Sequence, residues 1–370
     1  MSGTIDVFWH PAVLDHDTGS GVFEAADPGL LDAPELHPEN AERVRNMRSV
    51  LERGPLAGRL RWHEGREATE QELATVHDPA YIASIRETCA SGGRRLSPTT
   101  VLSAGSWRPL LCAAGTCLDA GQAVLDGQAQ AAYALVRPPG HHASPAAADG
   151  YCFFNHAALV AELARARGVE RVAVVDWDVH HGNGTQACFY ERSDVLTISL
   201  HMRHGSWGPE HPETGGPGEF GVGPGAGHNV NVELRPGSGD HAYRQAFQRV
   251  VLPVLRQFRP GLLIGGCGQD AGTFDPNGRQ SVSMAGFRDI GATVRGVADE
   301  LCEGRLVLLQ EGGYARTYAA YCLHATLEGV LGADAPALAD PIAFLPDDPG
   351  HATADLDQVC GHLARHWELV

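Results

Sequence analysis

The chain is short of positive charge. Of its 370 residues, 28 are Lys or Arg and 45 are Asp or Glu, a formal net charge of −17. Nucleic-acid binders carry a basic face, so no DNA or RNA partner is expected. The acidic balance serves solubility and, at long range, favours a neutral or cationic ligand over an anionic one. No apolar run approaches the length of a membrane span, so no membrane partner is expected. The opening MSGTIDVFWHP has no basic stretch followed by a long apolar one, so no signal peptide is read there. The nine cysteines include no Cys-x-x-Cys pair, and several lie in apolar runs, such as Cys152 in YCFF and Cys267 in GGCG. The expectation is buried free thiols in a cytoplasmic protein, with no cysteine zinc cage. Internal repeats and low-complexity segments are also missing.

What the chain does have is a recurring pattern of short, β-branched apolar runs, at 5–9, 133–136, 172–178, 195–200, 229–234, 262–265 and 305–310. Amphipathic stretches rich in Ala, Leu and Arg lie between several of them, at 39–53, 109–125, 156–167, 243–258 and 286–302. Strands that alternate with helices and lack strict polar alternation predict an α/β fold, a parallel sheet with helices on both faces. A single domain is expected over residues 1–370, with its core at about 5–335 and a C-terminal extension. Two long irregular stretches, 14–38 and 204–227, are functional loops by their length.

Four apolar runs end in chemistry. The run from Val172 passes into Asp176, Asp178 and His180, three side chains spaced by two as on one face of a strand. Buried carboxylates there need a cation or a hydrogen-bond network. The run 262–265 leads to Asp270, which completes a three-ligand set of the kind found in open catalytic zinc sites. Arg137-Pro-Pro-Gly-His-His-Ala143 displays His141 and His142 on a rigid turn, as a second metal site or an acid–base pair. Gln310-Glu-Gly-Gly-Tyr314 aims a phenol that suits an oxyanion donor. Parallel α/β sheets bind ligands at such strand ends.

The segments RPPGHH, DWDVHHGNG, GQDAGTFDP and EGGY resemble those of the histone deacetylase superfamily, an arginase/deacetylase-like fold, over about residues 8–331. That superfamily includes bacterial deacetylase-like amidohydrolases and acetylpolyamine amidohydrolases; Trp177, Asn183 and the opening DHDTGSG with HPENAERV resemble its class II branch more than class I. The resemblance implies hydrolysis of an N-acyl amide, with one zinc (or Fe(II) or Co(II)) on Asp178, His180 and Asp270. His142 would be the general base. His141 would give electrostatic or acid help near the leaving group. Asp176 and Asn183 would orient the two imidazoles, and Tyr314 would donate to the oxyanion. Gly150, Tyr151 and Trp207 would line an acyl-lysine tunnel, with Gln269 beside the metal. A structural potassium would use Asp176 and Ser199 with carbonyls of Asp178, His180 and Leu200. A homo-oligomer, dimer or tetramer, is implied.

Departures bear on the substrate. Gln269 and Tyr151 stand where relatives usually carry Phe, and SPTTVLSAGSW lacks the Asp that holds a substrate backbone. Acyl-lysine, a small N-acyl amine, an acetylpolyamine and a non-peptide or xenobiotic amide all stay open. A two-metal amidinohydrolase would add a carboxylate two residues after His180, where this chain has Gly182.

Overall fold

The structure is a computed structural model that describes residues 3–205, 214–333, 335–342 and 352–369. Trp207 lies outside the described residues. Eight strands build the main sheet: β1 (Ile5–Trp9), β2 (Leu60–Glu64), β3 (Ala131–Ala134), β4 (Val172–Asp176), β5 (Val195–Met202), β6 (Asn229–Leu234), β7 (Leu262–Cys267) and β8 (Leu306–Gln310). They run in the order β6-β5-β4-β7-β8-β3-β1-β2, and every pairing is parallel. All but β2 are buried along their whole length, which is why most read as apolar runs; β6, NVNVEL, buries its polar side chains as well.

The flanking helices include α1 (Ala41–Arg53), α2 (Pro79–Ala90), α3 (Trp107–Leu125), α4 (His156–Ala166), α5 (Asn183–Phe189), α6 (Met284–Leu301), α7 (Tyr318–Val330) and α8 (Ala352–Leu363). The fold is thus the expected α/β sheet flanked by helices. Several elements had no sequence signal. Strand β2, LRWHE, is an edge strand with most side chains exposed, so its polar residues hid it. Helix α7 is buried almost all round and so lacks an amphipathic stripe. The helix expected at 243–258 is interrupted by a π-helical turn, Phe247–Val251, just before Pro253, which has no N–H for the ladder. Helix α8 packs beside β6, tied by Arg235 Nε to Asp355 Oδ1 at 2.8 Å.

The topology places the chemistry. Strands β4, β7, β8 and β3 are adjacent at the centre of the sheet. The segments that follow them carry Asp176 to Asn183, Asp270, Tyr314 and the His141–His142 pair. Parallel pairing brings all four to one end of the sheet.

Candidate active site

Strand β4 ends at Asp176, so the expected run of strand through Asp178 and His180 is corrected: both stand in the turn beyond it. They converge all the same. His180 Nδ1 lies 3.1 Å from Asp178 Oδ1 and 3.2 Å from Asp270 Oδ2. Ligand atoms of these three buried residues all fall within 4.8 Å of one another. Backbone fixes the carboxylates: Gly312 N–H donates to Asp178 Oδ2 at 2.7 Å and Val179 N–H to Asp270 Oδ1 at 2.8 Å. The glycines are there for room. A Cβ on Gly312 would stand 2.1 Å from Asp270 Oδ2, and one on Gly266 2.6 Å from Asp176 Oδ1.

The set fits a divalent cation. Asp178 and Asp270 are fully buried and share one imidazole between them. Burial, then the charge of Asp178, pushes Asp270 up to about 7. Two facing carboxylates in low dielectric resist joint ionisation, and a cation removes that cost. A second compact group, His141, Cys152 and Glu311, adjoins it. There Glu311 Oε2 already accepts the N–H groups of Gly140 (2.7 Å) and His141 (3.2 Å).

The adjacent histidines face different partners. His141 Nδ1 meets Asp176 Oδ2 at 2.8 Å, and Asp176 Oδ1 accepts the Asp178 N–H at 3.0 Å. Burial alone would lower His141, but Asp178 and Asp176 outweigh it and hold its pKa well above 6.5. His142 Nδ1 meets Asn183 Oδ1 at 2.6 Å. Asn183 Nδ2 donates to Asp149 Oδ2 at 3.3 Å, which fixes the amide so that its oxygen faces the imidazole. His142 therefore carries its proton on Nδ1, leaving Nε2 to accept. Burial, then the neighbouring His141 and His180, keeps it well below 6.5. The pair thus offers one protonated and one neutral imidazole.

Tyr314 follows the Gly312-Gly313 turn, where Gly313 at φ +121 takes a backbone open to glycine. Asp275 Oδ2 accepts the N–H groups of Tyr314 (2.6 Å) and Ala315 (2.9 Å). Arg43 donates to the carbonyls flanking Gly312, those of Glu311 and Gly313, at 2.7 Å each, and stacks 4.6 Å above the Tyr314 ring. Glu39 sits between Arg43 and Arg137, all three fully buried. Sequence reasoning missed Asp275, Arg43, Glu39 and Asp149. The first three lie inside the quoted motifs, and Glu39 and Arg43 have the i,i+4 spacing of a helix pair.

A channel of about 320 Å³ reaches the site, lined by His142, Gly150, Tyr151, His180 and Tyr314 with Phe23, Glu24, Thr99, Pro276, Asn277 and Arg279. Gly150 lies against His142, where a Cβ would come within 2.2 Å of the ring. Gln269 is placed elsewhere. It is 1% exposed, with its amide turned into the core toward the Cys267 carbonyl and the Gln310 amide, at 2.8 Å each. Asp176 and Ser199 are register partners on β4 and β5, and Leu200 follows Ser199. The loop 14–38 sends Phe23 and Glu24 into the channel.

Comparison with known proteins agrees with this geometry. The histone deacetylase domain family matches residues 37–330. Histone deacetylase 8 of Arabidopsis thaliana is 51% identical over 97% of this chain and 96% of its own length. The histone deacetylase-like amidohydrolase of Pseudomonas aeruginosa is 41% identical over 90% of this chain and 86% of its own. A crystal structure of the HDA15 HD domain superposes with a TM-score of 0.84 at 32% identity, covering 99% of this chain and 96% of that one. Fold, site and relatives together define a hydrolytic enzyme of the deacetylase type. The chain belongs to the histone deacetylase family.

Proposed function

We propose that the enzyme hydrolyses the amide of an acyl-lysine or small N-acyl amine, with one zinc ion on Asp178, His180 and Asp270. The observation that carries this is the pairing of two buried carboxylates across one imidazole, at a channel also lined by His142 and Tyr314. Zinc bound there would polarise the acyl carbonyl and acidify the attacking water; Fe(II) or Co(II) suits the same hard ligand set. His142 Nε2 takes the water's proton. Tyr314 O–H donates to the developing oxyanion, and burial keeps that phenol protonated for the purpose. His141, protonated against Asp176, stabilises the charge and supplies the proton with which the amine leaves. Asn183 and Asp176 fix the two rings. Gly150 and Tyr151 border the substrate chain.

Asp176 and Ser199 with carbonyls of Asp178, His180 and Leu200 form our proposed potassium site. Nine free cysteines suit a cytoplasmic setting. Among the described residues no helix is long and apolar enough to cross a membrane. Val22, Leu30, Leu31 and Leu36 are 42–84% exposed on the loop 14–38, which supports a homo-oligomer; a monomeric mass by light scattering at micromolar concentration would contradict it. A polar channel wall also suits a small non-peptide amide. Assaying acetyl-lysine peptides, acetylpolyamines and simple amides side by side tests the reading, and no turnover of any of them would overturn it.

A further inference from the structure

The channel wall is polar at the point where a plain hydrocarbon chain would call for apolar contact. Tyr151 holds φ +70, a costly conformation for a bulky residue. Its buried ring packs edge-on against Tyr314 (centroids 5.5 Å apart) and His37 (5.0 Å). Its phenol O–H donates to Glu24 Oε1, and its oxygen accepts from Asn277 Nδ2 at 2.8 Å. Burial, then the Glu24 charge, pushes the phenol well above 10, so it remains the donor. Arg95 Nη1 donates to the Glu24 carbonyl at 2.9 Å and ties the loop down at that residue. Among the described residues no hydrogen bond reaches Glu24 Oε2. Arg279 lines the same channel with Nη1 held by the carbonyls of Pro276 (3.1 Å) and Gly278 (2.6 Å).

We propose that Glu24, held by the Tyr151–Asn277 chain of hydrogen bonds, is a specificity-determining acceptor in the channel wall, and that the substrate is an N-acyl amine whose chain carries a neutral N–H donor. This rests on the deacylase reading above. An alkyl chain displaces water from the carboxylate and replaces none of its hydrogen bonds, whereas an N–H donor replaces one with charge assistance. Arg279 weighs against an ammonium in the same place.

The test compares kcat/KM for acetyl amides of matched length. One has an alkyl chain, others carry a secondary-amide N–H at successive positions, and one carries an ammonium at the favoured position. One N–H position is expected to exceed the alkyl chain roughly tenfold or more, with the ammonium gaining less. That ratio should fall toward one in Tyr151→Phe, which frees Glu24, and in Glu24→Leu, which removes the acceptor at similar volume. An alkyl preference, an ammonium preference, or an unchanged ratio in both variants overturns the proposal. A wild-type enzyme that cleaves the alkyl and N–H substrates equally leaves the deacylase reading standing and removes this one. An enzyme that cleaves none of them removes both.

Discussion

Asn183 turns its side-chain oxygen to His142 Nδ1 at 2.6 Å. Where a carboxylate would stabilise the imidazolium, this neutral amide fixes the tautomer and adds no charge. Since the pKa of His142 lies well below 6.5, this proposed base is unprotonated at neutral pH, and the acid limb of kcat/KM should lie below about 6.5. A cation on the neighbouring ligands moves it in the same direction. Asn183→Asp sets a negative charge against the ring, and should raise the acid limb by roughly 1–3 units. A pH–rate profile checks this; an unmoved limb would show that the amide does not set the base.

Tyr314→Phe removes the proposed oxyanion donor and leaves every proposed ligand in place. Turnover should drop on the order of 10²–10³, with metal content by elemental analysis unchanged. Near-full turnover on every substrate would remove Tyr314 from the chemistry.

Glu39 stabilises the fold through charge. Burial alone would raise its pKa, but Arg137 and Arg43 hold it at about 2, below its ordinary 4.5. A depressed carboxylate contributes stability that is complete above the unfolded value and fades as pH falls toward the folded one. Glu39→Gln strands two buried guanidinium groups and should cost about 3–5 kcal/mol at pH 7. Urea unfolding should show the gap to wild type closing between pH 4.5 and 2. A constant gap would mean that the loss is one of shape.

A linear hydroxamate should inhibit strongly, and a matched carboxamide with the same chain far less. Equal potency would place the inhibitor away from Asp178, His180 and Asp270.

Much of this site was legible because it follows strands. Asp176 ends an apolar run and Asp270, His141 and Tyr314 follow one within a few residues, and a parallel sheet sends all such ends to one side. The supporting residues were harder to read. Asp275 acts through backbone N–H groups, Arg43 through two carbonyls on a distant turn, and Glu24 through a phenol 127 residues away in sequence. Such contacts depend on how loops are folded back, and no local periodicity encodes that. Gln269 misled for a related reason: its neighbour Asp270 faces the site, and the intervening backbone turns the Gln269 amide into the core instead.

The most direct measurement is hydrolysis of an acetyl amide by enzyme stripped with a chelator, then titrated with zinc while bound metal is counted. Activity should vanish on stripping and return in proportion to zinc up to one ion per chain. Asp178→Ala should hold no stoichiometric metal and recover nothing. Full activity in the metal-free enzyme would contradict the assignment of Asp178, His180 and Asp270 as the catalytic metal site.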